Sequence, residues 1–280
     1  MVHSSQQRLA YDGYQLQVYH WQTDPIRDRL LLISHGLGEN ALRYGHVAAY
    51  FAEAGYHVVA FDHQGHGASG GARGRVRSVS SIVGETAAVL NAVDGPQYRH
   101  RVLWAHSMGG VLALEALRNE SFADRLSAAI VTSPGLIPGS HPGSVLRAAA
   151  GVLAKALPDV AIANGLELGD LSRDPTVAER YAADPLNHDR LSFRLGQVFL
   201  SLPQNLLEAP TAPEHTPMLL MHGDADGICD VTGSRRYVAA NPDAPIVYRE
   251  WPGYYHELHN EPEWREVLDV ARAFLEERLR

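Results

Sequence analysis

The run of residues 102–117 constrains the fold more than any other stretch of this sequence. Residues 102–105 are apolar and typical of a buried strand, and a helix-forming run follows the short turn that holds Ser107. Ala105 and Gly109 stand two positions before and two positions after this serine, and both are small enough for a crowded turn. A strand, a sharp turn with a serine and a helix, in this order, are typical of a nucleophile elbow. The pattern predicts that Ser107 lies exposed at the end of a strand, beside the first amides of a helix.

Strand-like and helix-like segments alternate along most of the chain. Residues 8–19 alternate around Asp12 and Gly13, a turn signal that predicts an antiparallel hairpin at the edge of a sheet. Buried strands are predicted at 30–34, 56–61, 101–105, 127–132, 217–222 and 245–250, and helices at 43–54, 78–93, 107–119, 230–240 and 262–278. This alternation predicts an α/β fold, in which helices cover both faces of a mostly parallel sheet.

The alternation stops after strand 127–132 and resumes near residue 217. Residues 136–212 hold scattered prolines between short amphipathic pieces and no strand-like run. We expect this segment to form a helical cap above the sheet, inserted into a core of residues 1–135 and 213–280. A channel for an acyl chain is expected in the cap, lined by Val145, Leu146, Val152, Leu153, Val198, Phe199, Leu200 and Leu202.

Charge and composition disfavour several classes of protein. The chain has 280 residues and a net charge of −8, which disfavours nucleic-acid binding because phosphate recognition requires a basic face. Its single cysteine, Cys229, cannot form an internal disulfide. No apolar run approaches the roughly 20 residues of a membrane helix, and the first residues lack the apolar core of a signal peptide. These features predict a cytoplasmic protein. Because no metal-ligand spacing such as H-E-x-x-H occurs, neither a metal nor a cofactor is expected.

A serine hydroxyl needs a base to become a nucleophile, and the base needs an orienting acid. In doubly wound hydrolases the acid and then the histidine follow the serine, each at the carboxyl end of a strand. Asp224 and Asp226 both follow strand 217–222, and spacing alone leaves both open as the acid. His256 follows the turn after the next strand, where the base is expected. The order therefore predicts a triad of Ser107, one of the two aspartates and His256.

An oxyanion hole requires two backbone amides close to the serine. One comes from the residue after the nucleophile, which is Met108. The other is expected in the loop after strand 30–34, where Gly36 and Gly38 permit a backbone path that turns the amide of Leu37 inward.

Five stretches of the sequence match one known family in the right order. They are residues 35–39, 61–69, 105–110, 223–230 and 255–259. Through them the chain resembles the monoacylglycerol lipase branch of the α/β-hydrolase superfamily. The resemblance implies the α/β-hydrolase fold, with a mostly parallel central sheet flanked by helices and a cap after strand 127–132. It also places the triad acid on Asp226 and the oxyanion amides on Leu37 and Met108.

The same resemblance implies a polar pocket for a glycerol head group. Glu39 and Arg43 occupy the family positions in H-G-x-G-E-x-x-x-R, while Tyr181 and His259 match a cap tyrosine and a second histidine. A carboxylate, a phenol and an imidazole can bond two vicinal hydroxyls, and Arg43 can orient Glu39.

Together these inferences predict a serine ester hydrolase that cleaves monoacylglycerols to fatty acid and glycerol through an acyl-enzyme. The alternatives are a lysophospholipase or a broad carboxylesterase on the same fold and, in another class, a non-catalytic binding protein. The expected partner is a small lipid ester. The apolar cap is consistent with a lid core or, alternatively, with a surface for transient contact with membranes or micelles.

Overall fold

The computed structural model describes residues 2–24, 28–139, 155–209 and 211–279. The strands are β1 His3–Tyr11, β2 Tyr14–Gln22, β3 Arg29–Ser34, β4 His57–Phe61, β5 His100–His106, β6 Ala128–Thr132, β7 Ala161–Ala163, β8 Arg190–Ser192, β9 Met218–Gly223 and β10 Ile246–Trp251. The α-helices are α1 Gly45–Glu53, α2 Val79–Val93, α3 Met108–Ala116, α4 Glu120–Ala123, α5 Pro175–Ala183, α6 Phe193–Glu208, α7 Thr232–Ala240 and α8 Trp264–Arg278. Short 3-10 helices lie at Ala41–Tyr44, Leu168–Asp170 and Leu258–Asn260.

Eight strands form the central sheet, in the order β1-β2-β4-β3-β5-β6-β9-β10. Strands β1 and β2 pair antiparallel with each other, and β2 pairs antiparallel with β4. Every other pair in this sheet is parallel. The expected α/β-hydrolase architecture is therefore confirmed, with the hairpin at one edge.

Apolar side chains cover both faces of the sheet. In β3, Leu30 and Leu32 join the hydrophobic cluster on one face, whereas Leu31 and Ile33 join the cluster on the other. Successive strand residues point to opposite faces. A strand that is covered on both faces must therefore be apolar at nearly every position, which explains the continuous apolar runs in the sequence.

The predicted elements match the observed ones to within a few residues. The largest difference is at the edge hairpin, which was predicted over 8–19 and begins at His3. The predicted helix 43–54 begins as the 3-10 helix Ala41–Tyr44 and continues as α1. Asn40 starts this helix because its side chain accepts a hydrogen bond from the amide of Leu42.

The segment between β6 and β9 differs from the sequence expectation in one respect. It was expected to hold no strand, yet β7 and β8 pair antiparallel within it. Each is only three residues long, and three residues are too few to produce a periodic pattern.

Helix α6 attaches this segment to the rest of the molecule. Leu195, Val198, Leu202 and Leu206 are buried in the same hydrophobic cluster as β5 and α3. Of the expected channel residues, Phe199 and Leu200 on this helix are half-buried, and Val145, Leu146, Val152 and Leu153 lie outside the described residues. Within the four described ranges, no helix is long and apolar enough to cross a membrane.

Candidate active site

Ser107 lies on a strained turn between β5 and α3. Its φ of 54° and ψ of −116° fall in a region that residues with side chains rarely adopt. A Cβ atom on Gly109 would lie 2.4 Å from the carbonyl oxygen of Ser34, so only glycine fits at this position. The turn thus has the geometry of the predicted nucleophile elbow.

Three side chains from different loops converge at the carboxyl edge of the sheet. The Nε2 atom of His256 lies 2.9 Å from the Oγ atom of Ser107, and its Nδ1 atom lies 2.7 Å from the Oδ2 atom of Asp226. Because Asp226 accepts the Nδ1 proton, the Nε2 lone pair faces the serine hydroxyl. A hydroxyl, a neutral imidazole and a buried carboxylate in this line are the parts of a nucleophilic triad.

The structure distinguishes the two candidate acids. The Oδ1 atom of Asp226 accepts hydrogen bonds from the amides of Ile228 and Cys229, each at 2.8 Å. Asp224 is exposed and accepts a hydrogen bond from the amide of Gly253 instead. Burial alone would raise the pKa of Asp226, but the neighbouring imidazole of His256 and the hydrogen bonds to the carboxylate hold it below its usual value. Asp226 is therefore ionised throughout the working pH range.

His222 is a site residue that the sequence reasoning missed. Its Nε2 atom lies 3.1 Å from the Oδ2 atom of Asp226 and 3.0 Å from the carbonyl of Cys229, while its Nδ1 atom bonds Ser234. Since both partners of Nε2 are acceptors, this nitrogen carries the proton. The available signal was its place at the end of β9, four residues before Asp226.

The ionisation of His256 should govern the pH dependence of hydrolysis. Burial lowers the pKa of His256, but the carboxylate of Asp226 outweighs burial and raises it well above 6.5. Protonated His256 cannot accept the serine proton, so we expect the rising limb of kcat/KM against pH to follow a single ionisation above pH 6.5. A pH series with a soluble short-chain ester measures this limb, and a rate that stays constant between about pH 5 and 8 would contradict the assignment.

The loop after β3 turns the carbonyl of Gly36 toward His35. His35 accepts a hydrogen bond at Nε2 from the amide of His63, so its proton lies on Nδ1 and is donated to the carbonyl of Gly36 at 2.7 Å. In a trans peptide the C=O and N–H groups point in opposite directions. Because His35 holds the Gly36 carbonyl on one side, the Leu37 N–H points to the other. Gly36 is close to the nucleophile, since a Cβ atom there would lie 3.1 Å from the Cβ atom of Ser107.

Met108 supplies the second expected amide. It is the first residue of α3, and the first N–H groups of an α-helix have no partner within the helix. The helix dipole also favours negative charge at this end. Both amides therefore suit an oxygen that becomes negatively charged beside Ser107.

Arg43 lies between two carboxylates, beside the loop of residues 35–39 that follows β3. We call this segment the oxyanion loop. It forms a bidentate ion pair with Glu257, with both N–O distances at 2.6 Å, and a second ion pair with Glu39. The other oxygen of Glu39 accepts hydrogen bonds from the Gly36 amide at 2.6 Å and from Tyr44 at 2.9 Å. Glu39 is therefore saturated by protein groups and supports the oxyanion loop. Glu257 was not singled out from the sequence, although it directly follows His256.

Tyr181 and His259, by contrast, carry polar atoms without protein partners among the described residues. The hydroxyl of Tyr181 and both ring nitrogens of His259 are buried and unbonded in this part of the chain. The Tyr181 ring lies 4.8 Å below the Arg43 guanidinium, and the His259 ring lies 4.9 Å from the His106 ring. Buried polar groups are nearly always hydrogen-bonded, so each of these two side chains suits a ligand with hydroxyl groups.

Asp226, Cys229 and His256 offer ligand atoms within 4.8 Å of one another. The nitrogen and oxygen atoms of this group are already joined by the triad hydrogen bond. Burial raises the pKa of Cys229, which keeps its thiol protonated and makes it a poor metal ligand. The arrangement is thus explained by proton transfer, and the absence of a metal stays a prediction.

Comparison with known proteins gives one family and several relatives. The family Hydrolase_4, described as "Serine aminopeptidase, S33", matches residues 26–263. The monoacylglycerol lipase of Mycolicibacterium smegmatis is 34% identical over 96% of this chain and 92% of its own length. Phospholipase YtpA of Bacillus subtilis is 29% identical over 93% of this chain and 99% of its own length.

A solved structure agrees with these relatives. The crystal structure of the Paleococcus ferrophilus monoacylglycerol lipase superposes with a TM-score of 0.79 and 30% sequence identity, over 99% of this chain and 97% of that chain. The similarity therefore includes the insertion between β6 and β9 as well as the sheet.

Proposed function

The chain belongs to the Hydrolase_4 family of the α/β-hydrolase superfamily and is a carboxylic ester hydrolase, and on this premise we propose that it cleaves monoacylglycerols. The hydrogen-bonded line from Ser107 through His256 to Asp226 carries the proposal. Lipid binding alone does not require a serine, a base and an acid that are joined by hydrogen bonds.

The acylation step follows from this geometry. Ser107 Oγ attacks the ester carbonyl carbon while its proton moves to His256 Nε2, and Asp226 stabilises the imidazolium that forms. The carbonyl oxygen becomes an oxyanion, which the amides of Leu37 and Met108 stabilise. When the intermediate collapses, the bond to the alcohol breaks and His256 donates its proton to the leaving oxygen. In the second half, His256 takes a proton from water, the hydroxide attacks the acyl-enzyme, and fatty acid leaves as Ser107 recovers its proton.

We place the glycerol head group against Tyr181 and His259. Their buried polar atoms have no partner in the described ranges, and His259 lies next to His106, whose ring is 4.7 Å from that of His256. Two free hydroxyls of a monoacylglycerol can satisfy such atoms, whereas a triacylglycerol would leave them unpaired. Glu39 and Arg43 then act as the frame of the pocket.

Replacing Tyr181 by Phe tests this placement. The variant keeps the ring over Arg43 but loses the hydroxyl, so we expect KM for a monoacylglycerol to rise about tenfold, which is the value of one hydrogen bond. KM for the ethyl ester of the same fatty acid should not change, because ethanol offers no second hydroxyl. Kinetics on this ester pair give the comparison.

Tyr237→Phe is the matched control, since Tyr237 is a fully buried tyrosine of α7. Equal rises in KM for both esters would show that Tyr181 serves the acyl group or the fold, and would remove it from the head-group pocket.

A panel of substrates tests the function itself. We expect monoacylglycerols to be cleaved faster than lysophosphatidylcholine, simple alkyl esters and an aminoacyl anilide. The anilide belongs in the panel because of the family description, and lysophosphatidylcholine because of the phospholipase relative. Among the described residues, Glu39 and Glu257 are the acids beside Arg43, and their ion pairs with it leave neither free to bind a substrate ammonium. A clear preference for lysophosphatidylcholine or for the anilide would replace the proposed substrate.

We further propose that residues 136–212 act as the cap over this site. Its described part contacts the catalytic loop directly, because the amide of His256 donates to the carbonyl of Asp170 and that of Glu257 donates to the carbonyl of Leu171. Leu157, Val160 and Ile162 in this segment are large apolar residues exposed by 50%, 43% and 48%. Transient contact of the cap with membranes or micelles stays a prediction that these residues support.

A further inference from the structure

A second line of serine, histidine and carboxylate lies beneath the active site. The Oγ atom of Ser34 is 2.9 Å from Nε2 of His63, and Nδ1 of His63 is 2.7 Å from Oε2 of Glu85. All three side chains are fully buried, with 0% exposure. Because no substrate can reach Ser34, this line is not a second catalytic centre, and the proposed chemistry at Ser107 does not use it.

The buried line joins the oxyanion loop at two points. Ser34 ends β3, immediately before His35, and its carbonyl oxygen faces Gly109 in the first turn of α3. The backbone amide of His63 donates to Nε2 of His35. The Nδ1–H group of the same histidine donates to the carbonyl of Gly36. The position of His63 therefore sets both where the oxyanion loop begins and how its first peptide is turned.

The hydrogen-bond donors around Glu85 define where its proton lies. Its Oε1 atom accepts from the hydroxyl of Tyr14 at 2.6 Å, and the amide of Gln64 is shared between Oε1 at 3.3 Å and Oε2 at 3.4 Å. The Oε2 atom is the oxygen that lies against His63. Burial raises the pKa of Glu85 to about 8 and lowers the pKa of His63 to about 3, so both groups are neutral near pH 7. The acid proton of Glu85 is then donated to Nδ1 of His63, and Nε2–H of His63 is donated to Ser34.

We propose that Glu85 is a positioning residue for ester hydrolysis, which as a buried proton donor to His63 fixes the loop that carries the Leu37 amide. The inference rests on the proposed function, because it concerns the oxyanion that forms at Ser107. Glu85 lies on α2 and acts only through His63, Ser34 and the loop.

The proposal implies that pH affects both the activity and the stability of the protein through Glu85. Above about pH 8 Glu85 loses its proton, so His63 must change tautomer around a buried negative charge. The unfolded carboxyl ionises near 4.5, so between 4.5 and about 8 the folded protein retains a proton that the unfolded chain has lost, and stability falls as pH rises. The other titratable groups that face the pair are Tyr11, Asp12, Tyr14, His35 and His66.

Three variants on α2 test the proposal with a soluble short-chain ester. Glu85→Gln can accept from Tyr14 with its carbonyl and donate to His63 with its amide, so kcat should stay within about twofold of wild type. Its activity should lack the loss above about pH 8, and its stability should lack the fall between pH 4.5 and about 8. Glu85→Ala removes the donor, and we expect kcat to fall roughly 10- to 100-fold with KM nearly unchanged, as when an oxyanion donor is displaced. Thr86→Ala, at the adjacent fully buried position, should leave kcat unchanged.

Each result of these experiments either supports or overturns the proposed role of Glu85. Wild-type kcat in a folded Glu85→Ala protein overturns the proposal, as does an equal loss in Glu85→Gln or in Thr86→Ala. If Glu85→Ala does not fold, Ser34→Ala decides, because it deletes the last hydroxyl of the line. A severalfold loss of kcat in that variant supports the proposal and an unchanged kcat overturns it. Failure of the proposed function looks different, since wild-type protein would then cleave no ester or Ser107→Ala would retain cleavage.

Discussion

Replacement of Ser107 by Ala is expected to lower kcat by about five orders of magnitude and to leave the fold intact. Its hydroxyl faces the lone pair of His256 and stands on the elbow between β5 and α3. Without it no acyl-enzyme can form, and the oxyanion amides alone provide the small residual rate. Steady-state hydrolysis of a monoacylglycerol, with circular dichroism and thermal melting on the same preparation, measures both effects.

Ser133→Ala is a matched control for this experiment. Ser133 follows β6, also has a positive φ of 44°, and its buried hydroxyl has no partner among the described residues. We expect this variant to retain most of the wild-type rate. Full activity of Ser107→Ala on every ester of the panel would end the proposal of a serine mechanism.

Asp226→Asn is expected to lower kcat by about 10⁴-fold through the wrong tautomer of His256. One oxygen of Asp226 accepts from the amides of Ile228 and Cys229, so the carbonyl of an asparagine would stay there. Its NH2 group would then face Nδ1 of His256 and donate to it. The ring proton would move to Nε2, where it blocks acceptance of the proton from Ser107.

Asp224→Asn provides the control, because this residue lies two positions away and accepts from the amide of Gly253 at the surface. We expect its rate to remain within about twofold of wild type. Single-turnover kinetics with a chromogenic ester separate slower acylation from slower deacylation. A reversal, with Asp224→Asn inactive and Asp226→Asn active, would show that the triad acid was assigned to the wrong aspartate.

The sequence allowed the strands and helices of the core to be predicted well. Buried strands such as β3 are apolar at their central positions, and helices such as α2 have periodic apolar residues, so each element carries its own signal. The insertion was harder to predict. Its two paired strands, β7 and β8, are three residues long and leave no pattern, and they exist only because the chain brings Ala161 next to Ser192.

In the candidate site, too, some residues were predicted from the sequence and others were found in the structure. Spacing left Asp224 and Asp226 open and the family resemblance favoured Asp226. In the structure, the loop after β9 places Asp226 against His256. Glu257 and His222 carried no motif of their own. Their importance comes from contacts with Arg43 and Asp226, which are side chains held in place by the tertiary structure.

The residues adjacent to Ser107 in the chain are enough to predict the local geometry of the nucleophile. A strand, a turn with small residues around Ser107 and a helix depend on steric and hydrophobic preferences of neighbours along the chain. The triad acid was left open by spacing and assigned to Asp226 by the family resemblance, whereas the pairing of Arg43 with Glu257 and the link from Glu85 through His63 to the oxyanion loop are visible in the folded molecule alone. These contacts join residues far apart in sequence, and their geometry depends on packing of the sheet, the helices and the insertion as a whole.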